Sequence, residues 1–292
     1  MEKHDHGHIH LDRPHVDHLL NESVSKLAPY AGLILTICLV IIFLFRIYIF
    51  EAFLLERLYG KKYKAMDETV RRGFVNHHVA GTIKVVLLLS AVYPFVDVAF
   101  GNATMHSPFA GSKHVTMGDV LVVCSQLFIG MYVFELFYRT HVSPVSVLHH
   151  IGAIVIAQSA VAASLDFYHE VDSTIEFILC FVWGAFDVVA EFLPHIAIIL
   201  YRIYPTEHEF LVKVFRASCF TEFIGTTTET AIVMWLFGSL WSRWTLPFKI
   251  ITPILHVIFS AAQLWGAIIF RRMWKQQESK VYEKKRESQL PS

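Results

Sequence analysis

Charge is what this chain is short of. Only 17% of its 292 residues are Asp, Glu, Lys or Arg, where a soluble globular protein carries about 25%. Acidic and basic residues balance at 25 each, so no bulk charge marks a nucleic-acid partner, and none is expected. Cysteine is sparse too. Cys38, Cys124, Cys180 and Cys219 each lie inside an apolar run, and none belongs to a Cys-x-x-Cys pair. That pattern excludes a loop disulfide framework and leaves each as a small buried hydrophobe. A cleavable signal peptide is not expected either, because the first 27 residues are polar and His-rich. The first apolar helix is then expected to act as the targeting signal.

Apolar residues make up 54% of the chain, and mean hydropathy is +0.48. A hydrocarbon core about 30 Å thick is crossed by about 20 helical residues. The apolar runs predict an all-α, polytopic membrane protein with about seven transmembrane helices, near 28–55, 75–100, 116–138, 144–165, 174–201, 211–238 and 247–271. Pro94, Pro194 and Pro253 fall within or near the ends of these spans, where neighbouring helices can satisfy the freed carbonyls.

Lys and Arg between the spans and at their ends fall 17 on one side, including the C-terminal tail, and 6 on the other, including the N-terminal tail. The positive-inside rule therefore predicts a cytosolic C-terminus and a lumenal or extracellular N-terminus. Two glycosylation acceptors, Asn21-Glu-Ser and Asn102-Ala-Thr, both fall on the expected lumenal side, where alone they could be modified.

Ionisable residues at membrane depth cost at least a few kcal/mol each, so they mark candidate sites. The third span ends with Glu135 and Arg139, and the fourth opens Ser143-Pro144 and carries His149-His150. The fifth has Asp187, Glu191 and His195 on one stripe; the sixth has Glu222, Thr226 and Glu229; the seventh has His256, Ser260 and Gln263. Helical rise places His149, His150, Glu191 and Glu222 at similar depth, roughly 6–8 Å to the cytosolic side of centre, with Asp187 near the midplane. The expectation is one shared cavity, open to the cytosol, with His149, His150, Asp187 and Glu191 as acid–base groups. Glu135, His195, Glu222, Glu229, His256 and Gln263 are expected to line it. The bland alternative is a polar seam that only packs helices.

Phe134-Glu135-Leu136-Phe137-Tyr138-Arg139, then Ser143-Pro144, then Leu148-His149-His150-Ile151 resembles the central motif of the TLC-domain family, which includes ceramide synthases and translocon-associated TRAM proteins. Trp183-Gly184-Ala185-Phe186-Asp187 through Glu191 and Pro194 is similar to the family's next helix. The resemblance covers roughly residues 70–275 and implies a six-helix bundle around a central cavity, here preceded by one N-terminal helix. It divides the chain into a lumenal tail (1–27), a first helix with its basic connection (28–69), the TLC-like domain (70–275) and a basic cytosolic tail (276–292). Trp183 and Gly184 stand where the synthases carry His-Asp, and Ala157-Gln158-Ser159-Ala160 where they carry Ser-Tyr, which implies a branch outside the synthases proper.

By this resemblance the chain handles membrane lipid in the endoplasmic reticulum or another endomembrane. Its reaction would be acyl transfer from acyl-CoA to a sphingoid or phospholipid-like acceptor, with acyl-CoA as co-substrate and no bound cofactor. The alternative is a non-catalytic lipid sensor, transporter or cargo receptor. An oligomer is compatible with either. A histidine-box di-iron oxidase is disfavoured, because the spans hold only Asn76-His77-His78 and His149-His150 without spaced partners, and no metal site is expected there. In the N-terminal tail, His4, His6, His8, His10, His15 and His18 could weakly bind zinc or copper, against the alternative of a solvated low-complexity tail. Lys284-Lys285-Arg286 is expected to meet anionic headgroups.

Overall fold

The computed structural model describes residues 23–166 and 173–288. The histidines of the N-terminal tail and Asn21 lie outside them. Eight helices account for most of the described chain: α1 (Ala28–Tyr59), α2 (Glu68–Phe100), α3 (Met117–Tyr138), α4 (Pro144–Ala163), α5 (Ser173–Ala190), α6 (Phe192–Ile203), α7 (His208–Ser239) and α8 (Leu246–Glu287). Among the described residues there is no strand, only an isolated bridge between Pro108 and Thr116.

Local chemistry explains where the helices start. Asp67 accepts from the Val70 N–H at the head of α2. Thr116 and Asp119 form a reciprocal capping box on α3. Ser143 caps α4, with Pro144 in the first turn, where its missing N–H costs nothing. Phe45–Leu54 within α1 is wound as a π-helix. There Arg46 lies 4.9 Å over the Tyr138 ring, and the Tyr138 hydroxyl donates to Glu51, tying α1 to α3.

Six helical segments are long and apolar enough to cross a membrane: α1, α2, α3, α4, the α5–α6 pair and α8. Their outer faces carry large exposed apolar side chains, including Leu89, Phe137, Leu148 and Val257, each more than two-thirds accessible. A surface of that kind suits lipid rather than water. The expected span at 211–238 is a helix of 32 residues, α7, but Glu222, Thr226, Thr227, Thr228 and Glu229 help keep it out of the apolar set. The expected span at 174–201 is two helices that part at Glu191. Pro194 sits three residues beyond and can neither donate to the Ala190 carbonyl nor avoid crowding it. The expected last span ends at 271, whereas α8 continues to Glu287, supported by His208–Gln277 (2.7 Å) and Glu209–Lys285 (3.1 Å) against the head of α7.

The 101–116 loop closes one end of the bundle. Ser25 Oγ donates to Asp119 at 2.6 Å, and the Gly118 N–H donates to the Met105 carbonyl at 2.8 Å. Two large apolar clusters fill the interior. One surrounds Met105, Leu121, Phe177 and Val233 near that closed end. The other surrounds Phe74, Met131, Tyr132 and Phe134 toward the opposite end. The polar residues described next lie between and beside them.

Candidate functional site

Four helices send polar side chains to one buried point, and the bend after α5 adds another. Asp187 on α5 is at the centre and is 5% exposed. Tyr132 of α3 donates its hydroxyl to Asp187 Oδ2. Lys84 of α2, fully buried, donates from Nζ to the Asp187 backbone carbonyl at 3.0 Å and to Glu191 Oε2 at 2.8 Å. His149 of α4 places Nε2 3.6 Å from Asp187 Oδ1. Glu191 sits at the break between α5 and α6, so the interruption near Pro194 carries an acid at its bend.

A second carboxylate–imidazole pair lies alongside. His150 Nε2 is 3.6 Å from Glu135 Oε1, and Arg139 donates to the same carboxylate one turn on. Tyr132 joins the two pairs, because its ring stacks on His150 with centroids 4.3 Å apart while its hydroxyl serves Asp187. His77 and His195 meet through their Nδ1 atoms at 2.9 Å, so one ring donates and the other accepts.

Beside these groups lies a cavity of about 540 Å³ that reaches the turn at Arg139–Ser143. Glu135, His149, His150, Glu191, His195, Glu222 and Gln263 all line it. Behind His149 is a small inner space of about 50 Å³, walled by Tyr132, Asp187, Glu229 and Gln263 among others. Gln263 donates to Glu229 at 2.8 Å there. Nine of the ten candidate residues therefore border one or other of these two spaces. His256 is the correction. It borders neither and instead accepts from Trp183 Nε1 at 3.1 Å, with Thr230 and Ser260 on its other nitrogen. That network packs helices: a ring with both nitrogens occupied and stacked on Trp183 is held as a structural group.

Several polar atoms at the cavity wall are buried with no hydrogen-bond partner among the described residues. They are both ring nitrogens of His149 and of His150, Asp187 Oδ1, Glu222 Oε2 and Gln263 Oε1. Buried polar atoms are nearly always paired. His149, His150, Glu222 and Gln263 belong to the wall of the larger cavity, and Asp187 to that of the inner space. Gly266 contributes to the same wall, since a Cβ there would come within 2.8 Å of Glu222 Oε2.

His149, Asp187 and Glu191 each offer one atom, all within 4.8 Å of one another, a spacing a metal ion could use. The Lys84 ammonium already stands against both carboxylates and would repel a second cation. The donor set thus fits an internal ion pair better than a metal.

No family model, curated protein or solved structure matches the chain.

Lys84 and Tyr132 are absent from the candidates that the sequence suggests. A signal for Lys84 was present. Of the 25 Lys and Arg residues, only Arg46 and Lys84 lie more than two turns inside an expected span, and an intramembrane cation calls for a buried partner. Tyr132 gave no such signal, because a tyrosine on an apolar helix is ordinary core.

Proposed function

We propose that the protein is a seven-span, TLC-type membrane protein that handles lipid in the cavity beneath Arg139–Ser143, with α7 as the seventh span. In this reading the cavity opens to the cytosol, the N-terminus is lumenal, and the protein resides in the endoplasmic reticulum or a related endomembrane. The reaction is transfer of an acyl group from a coenzyme A thioester to the hydroxyl or amine of a lipid. The single observation that carries the reading is His149: an imidazole at the cavity wall, with Nε2 3.6 Å from Asp187 Oδ1 and Nδ1 without a hydrogen-bond partner among the described residues.

The chemistry follows from that placement. Nε2 of His149 faces Asp187 Oδ1 at 3.6 Å; a proton on Nε2 is the one the carboxylate favours, and it leaves the Nδ1 lone pair as the base. Nδ1 takes the acceptor's proton as its oxygen or nitrogen bonds to the acyl carbon. The carbon–sulfur bond breaks, and the departing thiolate recovers the proton from His149. Tyr132 and Lys84 hold Asp187 in place. Arg139 and Arg202 on the cavity wall would meet phosphates of the coenzyme. α7 is sufficiently apolar on its outer face, with Phe220, Phe223, Ile224 and Trp235 exposed, while Glu222, Thr226 and Glu229 are buried. That division suits a span whose polar stripe faces inward.

The test gives purified protein labelled acyl-CoA and a panel of sphingoid and lysophospholipid acceptors, wild type beside His149→Ala. Turnover that falls by about a hundredfold or more in the variant supports the reading, in line with the usual contribution of a positioned base. No turnover in the wild type, with lipid binding intact, would leave a lipid sensor, transporter or cargo receptor.

A further inference from the structure

The inner space behind His149 has an apolar neighbour. Its wall shares Phe128, Ala157, Cys180 and Gly184 with a third space of about 230 Å³ between α2, α3 and α5. Among the described residues, no charged one lines this third space. It extends along α2 from Leu87 to Val96, about 13 Å at 1.5 Å per residue. Its outer rim includes Val92, Val96 and Val189, each about half exposed on the apolar outer surface. The inner rim is Gly184, one turn before Asp187 on α5. A Cβ built at Gly184 would meet nothing within 4 Å, so this glycine relieves no helix contact. It is one of the four residues that line both spaces, and it puts no side chain between them.

We propose that a single hydrocarbon chain of the lipid handled at His149 runs past Gly184 into the apolar space between α2, α3 and α5, and that Gly184 sets the chain length accepted. The inference rests on the reading of His149 as the site of lipid chemistry. The occupant follows from the surroundings: the apolar space adjoins, through four shared wall residues, an inner space lined by Asp187 and Glu229, and at its other side it meets half-exposed valines of the apolar outer surface. A hydrocarbon chain with a polar head matches that gradient, since apolar area is favoured there and unpaired polar groups are not.

The experiment uses the full-length protein in phosphatidylcholine nanodiscs and palmitoyl-CoA with a photoreactive diazirine on the terminal carbon. In the wild type, saturable labelling is expected on α2 near Val92 and on α5 near Val188. Gly184→Leu should reduce that labelling about tenfold or more, because the side chain fills the passage, while an octanoyl-CoA analogue keeps its binding. Gly184→Ala should give an intermediate loss, and the wild-type label map stands even where the leucine variant folds poorly. Label confined to the polar cavity or the outer surface of the wild type overturns the inference. So does palmitoyl labelling undiminished in Gly184→Leu. Failure of the parent reading looks different: neither analogue binds the wild type saturably, and both ideas then fall together.

Discussion

Lys84 Nζ donates to the Glu191 carboxylate at 2.8 Å across the α5–α6 bend, and to the Asp187 backbone carbonyl at 3.0 Å one turn earlier. The lysine is fully buried, so its charge is compensated inside the protein or nowhere. It also pins the bend at which the polar cavity begins, and so links stability to the site. Lys84→Met should cost about 3–5 kcal/mol, the usual penalty for stripping one partner from a buried pair. Thermal unfolding in detergent, read by size-exclusion chromatography, checks this. Adding Glu191→Gln to the variant should recover part of the loss, whereas an additive loss would show that the two residues do not act as a pair.

Tyr132→Phe separates two roles of one side chain. The ring keeps its stack on His150, and only the hydroxyl serving Asp187 is lost. A hydrogen bond to a charged group contributes about 1.5–3 kcal/mol, so a modest fall in melting temperature is expected. If Asp187 orients His149, acyl transfer should fall with little change in lipid binding. Unchanged turnover would detach Tyr132 from the mechanism.

Two glycines should respond oppositely to alanine. At Gly118 an added Cβ would collide with the Val24 carbonyl oxygen, which is backbone and cannot swing away. At Gly184 it would meet open space. Gly118→Ala should therefore destabilise the protein by about 1–3 kcal/mol through overpacking. Gly184→Ala should be neutral or slightly stabilising, since alanine favours helix. Melting curves of the two variants side by side decide it.

Asn102 tests the orientation. It is exposed in the loop that closes one end of the bundle. With that end lumenal, expression in eukaryotic cells of a chain carrying Asn21→Gln, which removes the other acceptor, should give a glycosidase-sensitive mass shift that is lost when Asn102→Gln is added. A version with the acceptor moved to the Arg139–Ser143 turn should show no shift. The reverse pattern would invert the topology and put the cavity mouth in the lumen.

The helices were legible because what makes them is local. Apolar run length, a capping serine or aspartate and a proline in the first turn act within a few residues, and the expected spans fall on the observed helices with ends displaced. The displacements have tertiary causes: α8 runs on because α7 offers Glu209 and His208 to its last turns. Helix stripes also gave most of the candidate site, because an acid repeating at one face of an apolar helix is visible in one dimension.

What the sequence by itself determined about the buried polar groups was that they exist and that His149-His150 and Asp187 with Glu191 lie at neighbouring depths. Who meets whom was decided by the tertiary structure. Lys84 lies 103 and 107 residues from its two partners, and a lone lysine in a long apolar run has no period to read. His256 shared the stripe pattern of the others yet turned to Trp183, because helix rotation and packing choose which interior face a side chain serves. The space beside Gly184 is decided the same way, by the absence of neighbouring atoms, and only three-dimensional packing creates that absence.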